Sequence, residues 1–207
     1  MTETQAETVR RGRPRSEKAR SAILAAAADL LLEAGLDGVS MDAVAAHAGV
    51  SKATIYRWWP TKEMLAVDAL YEGWQVARPR QLKGESLRSD LIAHLRPWAR
   101  LVNQRPWSRV VAALLAKAQA DDEFGAHYRA RFLEPRRRHT AAIIERAIER
   151  GEVGAGTKVD VAIDLLYGPC YHRLVQGHAP LTDGFVRDVV ETVVAGLQGR
   201  PATRAQS

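Results

Sequence analysis

Residues 40–62, SMDAVAAHAGVSKATIYRWWPTK, predict two short helices joined by a tight turn. Ser40 has the side chain of a helix N-cap, and Ser51 can cap a second helix after the turn. Gly49 lies between them, where glycine readily takes the left-handed conformation that ends a helix. Pro60 then ends the second helix. Helix, glycine-containing turn and helix is the plan of a helix-turn-helix, whose second helix enters the major groove of DNA.

The second helix of this pair carries side chains suited to DNA. Its hydrogen-bond donors are Ser51, Lys52, Thr54, Tyr56 and Arg57. We expect direct readout of base edges by Thr54 and Lys52, with a contribution from Ser51, because these residues begin the recognition helix. Any two short capped helices around a glycine share this topology, so the donors are what favour DNA binding.

The segment AVAAHAGVSKATIYRWWPTKEML resembles the signature of the TetR (tetracycline-repressor) family of bacterial regulators, IA-x-x-AGVS-x-G/A-T-hydrophobic-Y-x-x-F-x-x-K-x-x-L. The resemblance covers roughly residues 17–78, and beyond residue 80 it concerns architecture only. Trp59 stands where the family mostly has Phe, and Trp58 stands where His or Tyr is more frequent. The resemblance implies phosphate anchoring by Tyr56 and Lys62, and further DNA contacts by Ser40, Arg57 and Trp58.

A basic segment precedes the first predicted helix. Residues 10–20, RRGRPRSEKAR, contain six basic side chains and a single acidic one. We expect residues 1–15 to form a disordered arm. Its core resembles an AT-hook tripeptide, which predicts that Arg11 and Arg13 enter a narrow A·T minor groove. The alternative is a solvated basic tail that attracts phosphate without reading sequence.

Composition limits the class of protein. The 207 residues suffice for one large or two small domains, and the net charge of +6 fits an anionic partner without proving one. A single cysteine, Cys170, excludes an intrachain disulfide and a Cys-based zinc site. Neither an apolar signal core nor a run of eighteen apolar residues is present, so we expect a cytoplasmic protein without a membrane partner.

The whole chain has helical periodicity, and we predict an all-α fold of about nine helices. Residues 16–79 would form a three-helix helix-turn-helix domain that binds DNA, with a fourth helix leading out of it. Residues 80–200 would form a helical bundle for ligand binding and dimerisation, and residues 201–207 a tail. Pro97 and Pro135 interrupt two helices of the bundle, and such kinks can hold a bundle open around a cavity.

Aromatic side chains recur on the apolar faces of three consecutive helices in the bundle. Together with a cysteine on a later helix, they predict a pocket for a small, largely apolar effector, lined by Trp98, Trp107, Tyr128, Phe132 and Cys170. The alternative is that these rings fill an ordinary core. Cys170 itself, among apolar neighbours, is typical of an inert core thiol rather than a redox sensor.

The last helix has an apolar stripe broader than one core-facing seam needs. It predicts a two-fold, four-helix dimer interface, which we assign to Leu166, Val186, Val189, Val190, Val193, Val194 and Leu197. The preceding helix would add Ala162, Leu165, Cys170 and Leu174. The alternative is that both helices only complete the core of the monomer.

Other side-chain groups do not indicate chemistry. The six histidines lack metal-ligand spacing, no catalytic Ser/His/Asp arrangement is recognisable, and no cofactor motif follows a strand. The run Arg136–Arg138 is typical of a solvated helix face.

These features predict a homodimeric transcriptional regulator, a repressor released from a palindromic operator when an effector shifts the fourth helix. The residues leave three alternatives open: an activator, an architectural or adaptor protein without an effector, and an enzyme with a DNA-binding appendage.

Overall fold

The computed structural model describes residues 13–77, 79, 82 and 84–199. Over these residues the chain forms nine helices and no strand, so the all-α prediction is confirmed. The helices are α1 (Arg13–Gly38), α2 (Met41–Ala48), α3 (Lys52–Tyr56), α4 (Lys62–Ala77), α5 (Leu87–Asn103), α6 (Arg105–Ala120), α7, α8 (Val159–Gln176) and α9 (Asp183–Gln198). Helix α7 joins Asp122–Tyr128 to Glu134–Glu149 through a π-helical segment, Arg129–Leu133. None of the described helices combines the length and the apolar character that a membrane span requires.

The first helix begins before the predicted domain boundary at residue 16 and is kinked near its end. It begins at Arg13, so residues 13–15, predicted as part of the disordered arm, belong to the helix. Pro14 is compatible with this earlier start because the first turn of a helix does not need its N–H. At the other end, Gly35 has a φ of 67° and kinks the helix, and a last turn continues to Gly38. Arg11 and the rest of the predicted arm before residue 13, like residues 201–207, lie outside the described residues.

The helix-turn-helix forms through the predicted local contacts. The Ser40 hydroxyl accepts a hydrogen bond of 3.1 Å from the Ala43 N–H and caps α2. Gly49 ends α2 in the left-handed conformation, with a φ of 66° that a side chain would disfavour. Ser51 then caps α3 by accepting from the Thr54 N–H at 3.2 Å. These contacts hold α3 rigidly beside α2.

One continuous apolar core joins the helix-turn-helix to the bundle. Trp59 follows α3 and is 2% exposed, and Trp74 of α4 is fully buried. Helix α1 packs against α2 and α4 and also against α6, while α4 packs against α5 and α7. The bundle and the helix-turn-helix therefore share one core, to which α1 and α4 both contribute.

The two prolines predicted to interrupt helices have different surroundings. Pro97 lies inside α5, which continues past it to Asn103. Pro135 follows the π-helical segment of α7, in which the Glu134 N–H donates to the Arg129 carbonyl five residues earlier. A proline supplies no N–H to the turn before it, and the wider π turn accommodates that loss.

Candidate nucleic-acid interface and effector site

Two hydroxyl groups lie together at the start of the recognition helix. The Ser51 and Thr54 hydroxyl oxygens are 2.9 Å apart and share one hydrogen bond, so one hydroxyl hydrogen remains available for a DNA acceptor. Lys52 pairs with Asp42 of α2 at 2.9 Å, with both side chains largely exposed. The hydrogen bond to Asp42 raises the pKa of Lys52, so the lysine stays charged. Exposed pairs of this kind contribute little stability, and DNA can compete for Lys52.

The end of the recognition helix presents one aromatic hydroxyl and one stacked cation. Tyr56 is 47% exposed. The Arg57 guanidinium lies 5.1 Å from the ring centroid of Trp58, and that ring packs edge-on against Trp59 at 5.6 Å. Trp58 is thus half-buried between Arg57 and the core, where its ring supports the Arg57 side chain. The predicted DNA contact of Trp58 stays a prediction.

Lys62 has a structural role that the sequence did not indicate. Its ammonium donates to the carbonyl oxygens of Leu36 at 2.9 Å, Val39 at 3.3 Å and Asp37 at 3.5 Å. The cause is the extra turn of α1 beyond Gly35, which leaves these carbonyls beside the start of α4 and favours a cation there. The predicted phosphate contact would require the ammonium to leave them.

A buried carboxylate on α4 connects the two halves of the molecule. Asp68 is 6% exposed. Its Oδ2 accepts from the Trp59 indole Nε1 at 3.0 Å and from Arg131 Nη2 at 2.9 Å. Its Oδ1 accepts from Arg131 Nε at 3.0 Å, so the arginine binds in a bidentate manner. Trp59 lies behind the recognition helix and Arg131 in the π-helical segment of α7.

Two further basic side chains surround the same carboxylate. Arg20 of α1 lies 3.6 Å and His127 of α7 lies 3.9 Å from oxygens of Asp68. Burial lowers the pKa of His127, and the Asp68 charge offsets this only in part. Sequence reasoning missed Asp68, although a single acid within the apolar run Val67–Leu70 of α4 was a visible signal.

The structure brings only part of the predicted effector pocket together. Trp98 and Phe132 face the guanidinium of Arg136, and Tyr128 packs against Phe132 with ring centroids 5.5 Å apart. Trp107 is buried on α6. Cys170 has no exposed surface, and burial raises the pKa of its thiol to about 11, as expected of an inert core group.

Two cavities of about 280 Å³ each lie in this part of the bundle. One lies between α7 and α8 beside Arg136, Tyr167 and Gly168. The other lies between α6 and α7, and Tyr128 is the one predicted pocket residue that borders it. Leu133 and Tyr171 border both cavities and separate them.

The arginine run on α7 divides among three environments. Arg138 is exposed beside Glu134, and Arg137 pairs with Asp160 and Asp164 of α8. Arg136 is 1% exposed, so the prediction of a solvated helix face is wrong for this residue. Arg136 lies four residues before Thr140 and eight before Ile144, so it shares the buried face of α7 with them.

The predicted dimer interface also needs correction. Within the protomer, Leu166, Val186, Val190 and Val194 are each at most 2% exposed, so they pack in its own core and are unavailable to a partner. Val189, Val193 and Leu197 instead border an apolar groove between α8 and α9. On α8, Val161 and Leu165 are more than half exposed along this groove. The apolar stripe of α9 is broad because some of its residues pack in the protomer core and others border the groove.

Comparisons with known proteins agree with this geometry. The family model described as bacterial regulatory proteins, tetR family, matches residues 23–69, and the tetracyclin repressor-like C-terminal domain matches residues 83–193. The HTH-type transcriptional regulator YdeS of Bacillus subtilis (strain 168) is 38% identical over 95% of this chain and 98% of its own length. The DNA-binding transcriptional repressor TetR of Mycobacteroides abscessus is 33% identical, with coverage of 92% and 98%.

Solved structures lead to the same family. The TetR family transcription regulator SCO0332 superposes with a TM-score of 0.75 at 33% identity, covering 89% of this chain and all of that one. The chain belongs to the tetR family of helix-turn-helix transcriptional regulators. It is a DNA-binding regulator and not an enzyme.

The Asp68 contacts predict a measurable contribution to stability. Replacing Asp68 with Asn removes the charge that Trp59 and Arg131 share, and we expect a loss of about 1–3 kcal/mol in the free energy of unfolding. The loss is limited because Arg131 is half exposed and can regain water. Chemical denaturation measures it. Asp42→Asn is the matched control, since it removes an exposed carboxylate, and equal effects of both substitutions would contradict a special role for Asp68.

Proposed function

We propose that this tetR-family regulator is a dimeric repressor that leaves a palindromic operator when a small molecule binds its helical bundle. The observation that carries the proposal is the pairing of Asp68 with both Trp59 and Arg131. This carboxylate links the back of the recognition helix to the bundle. The repressor of M. abscessus, 33% identical over most of both chains, supports repression as the mode of action.

The DNA contacts follow from exposure and hydrogen-bonding capacity. Thr54, Ser51 and Lys52 begin α3 and would contact base edges, because the start of a recognition helix penetrates the groove. Tyr56, at the other end, would donate to a phosphate, and the uncommitted hydrogen of the Ser40 hydroxyl would do the same. Arg57 and its support Trp58 would add charge and orientation.

A second copy of the chain is the partner that fits the groove between α8 and α9. The groove has a volume of about 440 Å³ and a mostly apolar lining. Packing α8 and α9 against the same helices of a partner would bury the exposed Val161 and Leu165 in a four-helix contact. A dimer also doubles the number of base contacts on a palindrome.

Release of DNA would follow from the position of α4. An effector in the bundle would move the π-helical segment of α7, and Arg131 would transmit that movement to Asp68 and α4. The separation of the two recognition helices would then depart from one turn of DNA, roughly 34–36 Å. A ligand can do this only if it binds the two conformations with different affinities.

Substitution of a residue that contacts base edges should change DNA binding differently from substitution of a residue that contacts phosphates. On DNA fragments selected from a random pool, Thr54→Ala should weaken binding to the selected site by about 1–3 kcal/mol and leave nonspecific binding unchanged. Tyr56→Phe should weaken binding to all sequences alike. Fluorescence anisotropy on selected and scrambled duplexes separates the two, and the reverse pattern would exchange the assigned roles.

The oligomeric state of a variant tests whether the groove between α8 and α9 forms the dimer contact. Leu165→Asp places a charge in the proposed contact, so we expect a monomer by analytical ultracentrifugation together with weaker operator binding. Val175→Asp is the matched control, because Val175 is equally exposed on the same helix but does not border the groove. A Leu165→Asp protein that remains dimeric would show that the dimer forms elsewhere.

Repression itself can be tested with a reporter. A promoter that contains a selected site should lose expression when the regulator is produced, and an active effector should restore it. The Arg131→Gln variant should still repress but respond less to the effector, because its contact with Asp68 is weakened. Increased expression would identify an activator, and repression that no compound relieves would favour the architectural or adaptor alternative.

A further inference from the structure

We propose that the effector carries an oxyanion, such as a carboxylate, on an apolar body, and that this anion binds the buried side chain of Arg136. The inference rests on the proposed function, because it names the chemical class of the molecule that the bundle would bind. It adds a charge to the largely apolar effector that the sequence predicts.

Arg136 is a buried cation without a counter-ion. Its side chain is 1% exposed, and no carboxylate of the described residues lies within 4 Å of it. Nη1 donates to the Tyr171 hydroxyl at 3.0 Å, whereas Nε has no hydrogen-bond partner. Arginine does not lose its proton in proteins, so the charge persists at this position. Burying a charge in this way is costly unless an anion joins it.

Aromatic rings surround the guanidinium and hold it in place. Its central carbon lies 4.4 Å from the ring centroid of Trp98, and 4.6 Å from those of Phe132 and Tyr167. Ring faces attract a cation and offset part of the cost of its burial. Ring faces do not accept hydrogen bonds from the in-plane N–H groups of the guanidinium, whereas a carboxylate does. The arginine can therefore still donate hydrogen bonds to an anion.

Two buried donors at the guanidinium lack an acceptor: the Trp98 indole N–H and Arg136 Nε itself. The Tyr128 hydroxyl lies near the Tyr171 hydroxyl without a well-formed hydrogen bond to it. The neighbouring Thr140 hydroxyl already donates to the Arg136 carbonyl at 3.1 Å. Buried donors normally have acceptors, and unsatisfied ones require an explanation. A carboxylate, with about four acceptor positions and no donor, matches this deficit.

The guanidinium and its cage of rings, Trp98, Phe132 and Tyr167, can be reached from the cavity between α7 and α8. Arg136, Tyr167 and Gly168 border this cavity, and a Cβ added at Gly168 would meet no atom within 4 Å. Asp164 also borders it, with its carboxylate paired to Arg137. The half-buried side chains of Leu133 and Tyr171 separate it from the second cavity. A small displacement of these two would join the cavities into a volume typical of ligand sites, with the anion at Arg136 and the apolar body beyond.

Matched acids and amides test the charge requirement. The probes are benzoate, 1-naphthoate and decanoate, each with its own primary amide, titrated against the full-length protein by tryptophan fluorescence and melting temperature. At least one acid should bind about 10- to 100-fold more tightly than its amide, as expected for hydrogen bonds to a charged group. Equal binding of acids and amides, or no binding by any of the three acids, would overturn the proposal.

Arg136→Met separates a ligand contact from a structural one. Methionine is of similar length and apolar, so the unliganded variant should melt at the wild-type temperature or above it. Acid binding should fall to the level of the amide. A lower melting temperature with an unchanged preference for acids would show that Arg136 is structural.

Gly168→Leu closes the cavity without altering the charge. We expect it to abolish acid binding and to keep the fold, because leucine favours a helix more than glycine. Gly168→Ala is the control that should still bind, and unchanged binding in the leucine variant would overturn the assigned entry.

DNA release is measured separately for every probe. If the amides bind the protein and cause it to release DNA, the proposed function stands and the requirement for an anion is overturned. Acids that bind at Arg136 without affecting DNA would support the site and contradict effector release.

Discussion

The structure depends on one buried carboxylate that four cationic or polar side chains surround. Asp68 receives hydrogen bonds from Trp59 and Arg131, which belong to opposite halves of the chain, and Arg20 of α1 and His127 of α7 lie nearby. A buried charge that loses its partners is far more costly than a surface charge, so these side chains must keep their relative positions or change them together. This constraint makes α4 more than a spacer, because its position is fixed from both sides. The hydrogen bonds of Asp68 thereby connect Trp59, behind the recognition helix, to α7.

Sequence reasoning succeeded where the deciding contacts are local. Ser40, Gly49 and Ser51 determine the turn through bonds that span three or four residues, and such patterns are visible in a single sequence. It did not indicate the structural contacts of Lys62, whose partners lie more than twenty residues earlier. Nothing near Lys62 in the sequence indicates that α1 continues beyond Gly35 to present its carbonyls there. The apolar stripe of α9 was recognised, but periodicity alone does not divide it between Val186, which faces the core, and Val189, which borders the groove.

The arginine run was misjudged because its charge was weighed above its register. Arg136 precedes Thr140, Ile143, Ile144 and Ala147 at helical spacing, and all five residues are buried. The same spacing places Arg137 and Arg138 off the buried face, so ordinary periodicity accounts for one inward arginine out of three. The π-helical segment before Pro135, with its Glu134 to Arg129 hydrogen bond, had no such signal in the sequence.

Two arginines on α7, five residues apart, differ in a way that fits a regulated protein. Arg131 has a carboxylate partner within the chain, and Arg136 has aromatic rings and one tyrosine hydroxyl but no carboxylate within 4 Å among the described residues. An apolar residue at position 136 would avoid the cost of burying an unpaired charge, so stability alone does not account for this arginine. An incoming anion would supply the missing partner. It would bind most tightly to the conformation that brings the guanidinium, Trp98 and Tyr128 toward it. Because the same helix holds Asp68 through Arg131, any such adjustment of α7 changes the contact that positions α4.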